Sequence, residues 1–556
     1  MTGSKNPVAF SGANDELTQI VISSKLPLLP GAESLALYRW ENGALSPVSE
    51  LPGEGGEVIA GHVGSGQISV RHAVSSDGSL IFWAPGEDIA PNLDAPALYL
   101  RDTDAEKTSR IDVVQSGVGA GPNLPAFMGA STDGAVVFFT DSQHLTSDAN
   151  PLGRDLYRCE IGEVEGSLGC TELDDLSAGV SGGESADVKE VPAGISDDGN
   201  SLYFVAQGVL DSEPNEFDET ARGESPNLYL WRKGAGVRYV ATLSEGDRPD
   251  WGKPEPVGAV SKSSALSSPS GRYLTFMSEL NLAGDESSDP ETGEPTEEIF
   301  LYDAQAEKLR CVSCNPRGST DAAHEIIKSG NEGGLVFPDL QGLWAGRFVG
   351  ATLPETTESE SNRGFAFYRP RAVLDNGRVF YNSIAPLVNV DSNGTWDVYQ
   401  YEPLGVGSCD SSTGSGSAAR SGDGCISLIS SGTDGNTSVF LDASESGDDL
   451  FFLTFAPLSA TDTDKIVDVY DAKVGGIEAV VEQHTECQGE SCRTSSPAPA
   501  AGTPSSAVFD GAGNVNSKPG KHCGKGKKKV KRNGKTKCVK KHHRHRKQGS
   551  SARAGK

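Results

Sequence analysis

One short phrase recurs seven times along the chain, and it limits the possible folds more than any other feature. In each copy an Asp-Gly-type turn leads into an apolar, aromatic-rich run, and a second apolar pair ending in an aromatic follows. The clearest copies are Asp77-Gly78 into Leu80-Ile81-Phe82-Trp83 and Asp133-Gly134 into Val136-Val137-Phe138-Phe139. Asp198-Gly199 into Leu202-Tyr203-Phe204-Val205 and Asn376-Gly377 into Val379-Phe380-Tyr381 match them, while weaker copies begin at Asn14-Asp15, Ser270-Gly271 and Gly447-Asp448. The second pairs are Leu37-Tyr38, Leu98-Tyr99, Leu156-Tyr157, Leu228-Tyr229, Ile299-Phe300, Val398-Tyr399 and Val469-Tyr470. Repetition at this scale marks a solenoid or a propeller.

Asp-Gly and Asn-Gly supply the positive backbone angles of a tight hairpin. The runs after them are continuously apolar rather than alternating, as suits strands buried on both faces. Propeller blades create that situation, because each sheet packs against the sheets on either side. Helical periodicity is nearly absent, with 322–328 the one stretch that shows it. The expectation is an all-β β-propeller of seven blades, with six or eight as alternatives. Turn-to-turn spacing runs from 56 residues (Gly78 to Gly134) to 106 (Gly271 to Gly377), against roughly 40–45 for an ordinary blade. The surplus must lie in long loops, and the insert from Asn315 to Phe367 has room for a further blade.

Ser75-Ser76-Asp77-Gly78, Ser131-Thr132-Asp133-Gly134 and Ser196-Asp197-Asp198-Gly199 resemble the Ser-x-Asp-Gly turns of the TolB-like propellers. The resemblance covers about residues 8 to 480 and implies the fold. It says little about activity, since that family spans accessory binding proteins and the propeller halves of peptidases. The chain departs from it in its long inserts, local cysteine pairs and basic tail.

Charge divides the chain. Residues 518–556 hold 17 of the 48 Lys and Arg and no acidic residue, which leaves 31 basic against 77 acidic residues elsewhere, a charge of −46. A body that acidic repels nucleic acid and anionic membrane. The expected organisation is a propeller over 1–485, a Pro/Ala/Ser-rich linker over 486–517, and a disordered basic tail over 518–556. No apolar run approaches the roughly 18 residues of a membrane span. A monomer is expected.

The ten cysteines fall into neighbouring pairs: Cys159 with Cys170, Cys311 with Cys314, Cys409 with Cys425, Cys487 with Cys492, and Cys523 with Cys538. An even count in local pairs reads as disulfides in an oxidising compartment, which points to the extracellular space or cell surface. Residues 1–30 lack the charged-then-apolar pattern of a signal peptide, and a start upstream of Met1 is the favoured explanation.

Four patterns could carry chemistry. Cys311-Val-Ser-Cys314 is open to a redox dithiol, a structural disulfide or a metal clip, but no helix start follows to lower a thiol pKa. Three acidic loops precede second-pair strands: Asp148-Ala-Asn150 before Asp155, Asp391-Ser-Asn393 before Asp397, and Asp462-Thr-Asp464 before Asp468. Oxygen ligands spaced by two suit Ca²⁺ as a stabilising ion, and Glu402 stands eleven residues after Asp391 as in an EF-hand, though Trp396 takes the place of its glycine. The rival reading is that Asp and Asn simply make turns. Gly179-Val-Ser181-Gly-Gly183 formally matches a nucleophile elbow but lacks the strand-to-helix context. His62, His72, His144, His324 and His484 form no pair at ligand spacing. The Lys/Arg/His tail suits an anionic cell-wall polymer through counterion release, and its lack of aromatics speaks against specific nucleic-acid binding.

No catalytic residue and no cofactor other than Ca²⁺ is assigned. The favoured function is an exported, non-enzymatic propeller that binds a protein or glycan at a rim built by the long loops. The alternative is a propeller enzyme, a metal-assisted hydrolase or glycan-cleaving enzyme with its site at the central channel. The serine-peptidase version would need a separate α/β catalytic domain, and no segment here can supply it.

Overall fold

The computed structural model describes residues 8–474 apart from loop segments, the longest being 252–263, 326–347 and 354–369, together with 525, 527–532 and 535–540. Two compact units are present, Met1–Gly513 and Asn514–Lys556. Every named element among the described residues is a strand.

Among the described residues the first unit contains seven sheets in chain order, antiparallel but for one strand pair in sheet 5, and the architecture is a β-propeller. Sheet 1 spans Val8–Pro47, sheet 2 Gly61–Arg110, sheet 3 Ala126–Asp175 and sheet 4 Gly194–Thr242. Sheet 5 spans Ala265–Cys311, sheet 6 Ala351–Leu428 and sheet 7 Ser438–Lys473. Sheets 1 to 4 are plain four-stranded meanders, and three strands of sheet 7 are described. In every sheet the run after the repeated turn is the second strand and the Leu-Tyr-type pair begins or lies within the third. Phe139 stands opposite Tyr157, for example, and Phe204 opposite Tyr229.

Within the long insert the described residues add no separate sheet. His324–Glu325 pairs with Phe348–Val349, which runs parallel to Thr296–Asp303 at the edge of sheet 5. The helical pattern at 322–328 therefore gives way to strand at His324–Glu325, where a neighbouring strand takes up the backbone groups.

The turn explains its own sequence. Ser75 Oγ donates to Asp77 at 2.6 Å and accepts from the Leu80 N–H at 3.0 Å. Ser131 does the same with Asp133 and Val136, and Ser196 with Asp198 and Ser201. Burial pushes the Asp77 carboxyl up, but bonds from Ser75 and Ser79 outweigh it and hold the group below its usual range. Gly134 sits at φ 72°, and a Cβ there would lie 2.9 Å from Leu80 Cδ1 of the preceding sheet. The glycine serves both the turn and the close approach of one sheet to the next.

The residue after the first serine ties the sheets together. The Asp15 N–H donates to Ser76 O, Ser76 N–H to Thr132 O, Thr132 N–H to Asp197 O, and Asp197 N–H to Pro269 O, at 2.7–3.1 Å. Ser270 N–H continues the belt to Asp375 Oδ1 at 3.0 Å, and Arg378 of sheet 6 donates to Gly447 O of sheet 7 at 2.9 Å. Aromatic rings fill the wedges between sheets: Phe82 against Phe127, Phe138 against Trp231, and Phe380 against Phe440. The first and last sheets leave side chains open on their outward faces, with Phe10 44% and Trp40 40% exposed on one and Phe451 37% and Val469 58% on the other.

Candidate functional site

The belt of turns brings Asp15, Ser76, Thr132, Asp197, Pro269 and Asp375 to one end of the propeller, and Glu445 stands at the same position of the seventh turn. Asp15 and Asp375, from sheets 1 and 6, both act electrostatically on Asp197 of sheet 4, so these turns converge. Into this acidic end reaches Arg71. It leaves sheet 2, passes sheet 3, and donates through Nη2 to Ile195 O at 2.7 Å and to Asp197 Oδ1 at 3.3 Å. Burial raises the Asp197 carboxyl, Arg71 opposes that, and Asp375 adds to the rise, leaving it above its usual range. His72 lies beside the same carboxylate at 3.8 Å, with Nδ1 2.9 Å from Ala130 O. Around them glycines allow the first strands of neighbouring sheets to approach closely. A Cβ on Gly194 would sit 2.5 Å from that of Ser267, and one on Gly129 would overlap Ile195.

The longer loops, between second and third strands, leave the opposite end of the strands, and here the second-pair tyrosines have a role. The N–H groups of Leu28, Leu145, Leu210, Leu387 and Leu458 donate to the hydroxyls of Tyr38, Tyr157, Tyr229, Tyr399 and Tyr470 at 3.0–3.3 Å. Several of these hydroxyls donate onward, Tyr157 to Gln143 O, Tyr229 to Gly208 O and Tyr399 to the Asp391 carboxylate. In sheets 1, 3, 4, 6 and 7 the long loop is thus pinned to its sheet by a phenol.

The three acidic loops fall into two kinds. In sheet 3, Asn150 Nδ2 donates to Asp155 Oδ1 at 2.7 Å and to Ser177 O at 2.8 Å, while Asp148 is exposed. In sheet 6, Asn393 Nδ2 donates to Asp397 Oδ2 at 2.7 Å and Ser430 Oγ to Asp397 Oδ1 at 2.5 Å. An amide N–H, rather than an oxygen, meets the carboxylate in both. Glu402 does not join Asp391; it pairs with Arg378 at 3.2 Å and accepts from Ser408. Burial pushes Asp397 up to about 6 against the bonds from Ser430 and Asn393.

In sheet 7 the aspartate at the same place in the phrase, Asp464, replaces the asparagine. Carboxylate oxygens of Asp462, Asp464 and Asp468 all lie within 4.8 Å of one another. Asp468 is raised, first by desolvation and then by its two neighbours, and Asp462 also accepts from Tyr470 OH at 2.6 Å. Three carboxylates with no amide between them fit a hard cation better than either of the other loops does.

Two features carried no sequence signal. Asp175, at the end of sheet 3, accepts from both Ser177 N and Ser177 Oγ at 2.8 Å, and burial followed by Asp155 pushes it up to about 8. A small cleft of about 20 Å³ opens between sheets 4 and 5, lined by Phe217, Arg238, Tyr239, Tyr302 and Glu307 among others. Phe217, in the loop between the second and third strands of sheet 4, is 40% exposed.

Cys159–Cys170, Cys311–Cys314 and Cys409–Cys425 are disulfides with Cα separations of 5.5, 5.6 and 5.6 Å. Cys311 and Cys314 are buried and bonded to each other, as the structural-disulfide reading expects. Cys538 is disulfide-bonded, while Cys523, Cys487 and Cys492 lie outside the described residues. So do Ser181 of the formal nucleophile elbow and His484. His62 is pushed down to about 4 by burial, against a bond to Gly64 O, and is a neutral interior group. His144 lies near Asp155.

No protein-family model matches the sequence, and no curated protein does. Solved structures with a similar fold include TolB from Acinetobacter baumannii, at 13% identity, TM-score 0.26, and coverage of 55% of this chain and 53% of that one. A prolyl endopeptidase aligns at 10% identity and TM-score 0.35, over 84% of this chain and 50% of its own. The β-propeller domain of the Trilobed protease from Pyrococcus furiosus aligns at 8% identity and TM-score 0.30, over 84% and 92%. The chain spans about half the length of the first two. TolB proteins are thus among the structural neighbours, as the Ser-x-Asp-Gly turns led one to expect. No helix among the described residues is long and apolar enough to cross a membrane.

Proposed function

We propose that the chain is an exported, non-enzymatic β-propeller that serves as a binding or structural module at the cell surface. It would take a protein or glycan ligand on the face carrying the long loops, with the basic tail attaching it to anionic envelope polymers. The observation that carries this reading is Arg71. A side chain of the protein reaches across and pairs with Asp197 at the acidic end, where a propeller enzyme would hold its substrate or ion. Phenol-pinned loops on a scaffold of packed sheets are also the arrangement in which recognition surfaces occur. Three local disulfides support an oxidising compartment. The exposed Phe217 beside the cleft between sheets 4 and 5 is the anchor we favour for the ligand, since buried aromatics dominate interface energetics.

The test is fractionation of intact and truncated protein. Removal of residues after Gly520 should release the protein from envelopes with its unfolding transition unchanged, and equal retention of both forms would defeat attachment. The enzyme alternative draws support from Asp462, Asp464 and Asp468, with calcium as the ion. Hydrolysis of a glycan or ester panel that is lost on chelation and restored by Ca²⁺ would favour it over the binding module.

A further inference from the structure

Residues 514–556 form their own compact unit, and its core is a hairpin. Lys527–Arg532 pairs antiparallel with Lys535–Lys540, from Lys527 opposite Lys540 to Arg532 opposite Lys535. The residues between them in sequence are Asn533-Gly534, the pair favoured in two-residue hairpin loops. The tail read as disordered thus contains an ordered element, signalled by the same Asn-Gly pattern that marks the body's turns.

Eight of the twelve strand residues are Lys or Arg. Like charges directly opposite each other destabilise a strand pair, and no acidic residue exists anywhere in 514–556 to relieve them. Cys538, within the second strand, is held in a disulfide. The described side chains, among them Lys527, Lys528, Lys531 and Lys537, are exposed. Successive residues on one face of a strand lie about 6.7 Å apart, and the register puts Lys527, Lys531 and Lys540 on one face and Lys528 and Lys537 on the other.

We propose that this hairpin is a preorganised cationic ribbon that grips a flexible, linear polyanion, a polyphosphodiester or a polyuronate. The inference rests on the attachment role proposed above and names the element and ligand chemistry behind it. Two observations select this class of partner. Residues 514–556 contain no Phe, Trp or Tyr to stack on bases. The remainder of the chain carries a strong net negative charge, so a broad anionic surface, whether a bilayer or a stiff duplex, meets repulsion that a thin, pliable polymer escapes.

The test uses the full-length protein and a short inorganic polyphosphate chain, titrated at several salt concentrations. With about six to eight phosphates neutralised, affinity should fall by roughly two to four decades between 50 and 200 mM salt. Two variants of equal charge separate the hairpin from the tail at large. One carries Lys527→Gln, Lys528→Gln, Lys531→Gln and Lys537→Gln, and the other Lys541→Gln, Arg544→Gln, Arg546→Gln and Lys547→Gln. The first should lose at least tenfold more affinity than the second. Equal losses would overturn the ribbon while leaving attachment by a diffuse cationic tail intact. No loss in either variant would overturn attachment through the tail as well. Tighter binding to a DNA duplex or to vesicles rich in anionic lipid than to polyphosphate of equal charge would also overturn the proposal.

Discussion

Asp175→Asn tests the electrostatics of the loop face most directly. Ser177 Oγ lies 2.8 Å from Asp175 Oδ1 and 3.3 Å from Asp155 Oδ1, and a hydroxyl has one proton to give. The second oxygen of Asp175 is buried and accepts no hydrogen bond among the described residues. The folded side chain therefore keeps its proton up to a pKa of about 8, against 3.8 in the unfolded chain. Between those values the folded state binds more protons than the unfolded state, so stability falls as pH rises. Each pH unit across that window costs about 1.36 kcal/mol, giving about 4 kcal/mol at pH 7 for full desolvation. Water reaching the half-buried carboxyl reduces this to about 2 kcal/mol. The asparagine retains an oxygen for both Ser177 donors and has no charge to desolvate. Urea unfolding of the two proteins should show no difference near pH 4 and a gain for D175N of about 2 kcal/mol at pH 7. A difference that stays at zero, or a loss for the variant above pH 6, would mean that Asp175 is ionised and paired in the fold. The single-proton account would then be wrong.

Other substitutions probe the remaining framework. Gly134→Ala places a Cβ at φ 72° and 2.9 Å from Leu80, so it should cost about 2 kcal/mol in the same unfolding assay. Tyr229→Phe leaves Gly208 O and Leu210 N–H without their phenol, and a loss of about 2 kcal/mol is expected, with full secondary structure by circular dichroism. Peptide mapping of the unreduced protein should return the Cys159–Cys170, Cys311–Cys314 and Cys409–Cys425 links, and Cys409→Ser with Cys425→Ser should cost about 3 kcal/mol in the chain-entropy model. Free thiols at these positions in freshly isolated protein would remove the argument for export. Calcium should raise the melting temperature of the parent protein and leave that of Asp464→Asn unmoved, since the asparagine rebuilds the amide–carboxylate bond of the other two loops.

What could be read in advance divides along a physical line. The strands and their order were legible because Ser-x-Asp-Gly is a local device: its bonds run within six residues, from Ser75 to Asp77 and Leu80, and the residues that make them are adjacent in the sequence. The belt that joins the sheets was not legible, because it is made by main-chain groups of Ser76, Thr132 and Asp197 and is indifferent to side-chain identity. Arg71 left no signal for a related reason. Its partners, Ile195 O and Asp197, lie more than 120 residues away, and one of them is a carbonyl that any residue would supply. The tyrosine hydroxyls were hidden in pairs that read as apolar. Asn150 and Asn393 were harder still, since asparagine suits a turn, a cation or a hydrogen bond, and only its orientation tells which.

Once that orientation is known, the sequence regains its force. A loop that keeps the asparagine supplies its own donor to the buried carboxylate, and one that replaces it with Asp464 exchanges that donor for a third negative charge. Selection for turn formation alone gives no reason to prefer the aspartate. The difference between Asn393 and Asp464 is therefore the point at which the two readings of this chain separate. If Asp464 proves neutral to calcium and to stability alike, the acidic loops are turns in all three sheets. The metal-dependent alternative then loses the one cluster that supported it.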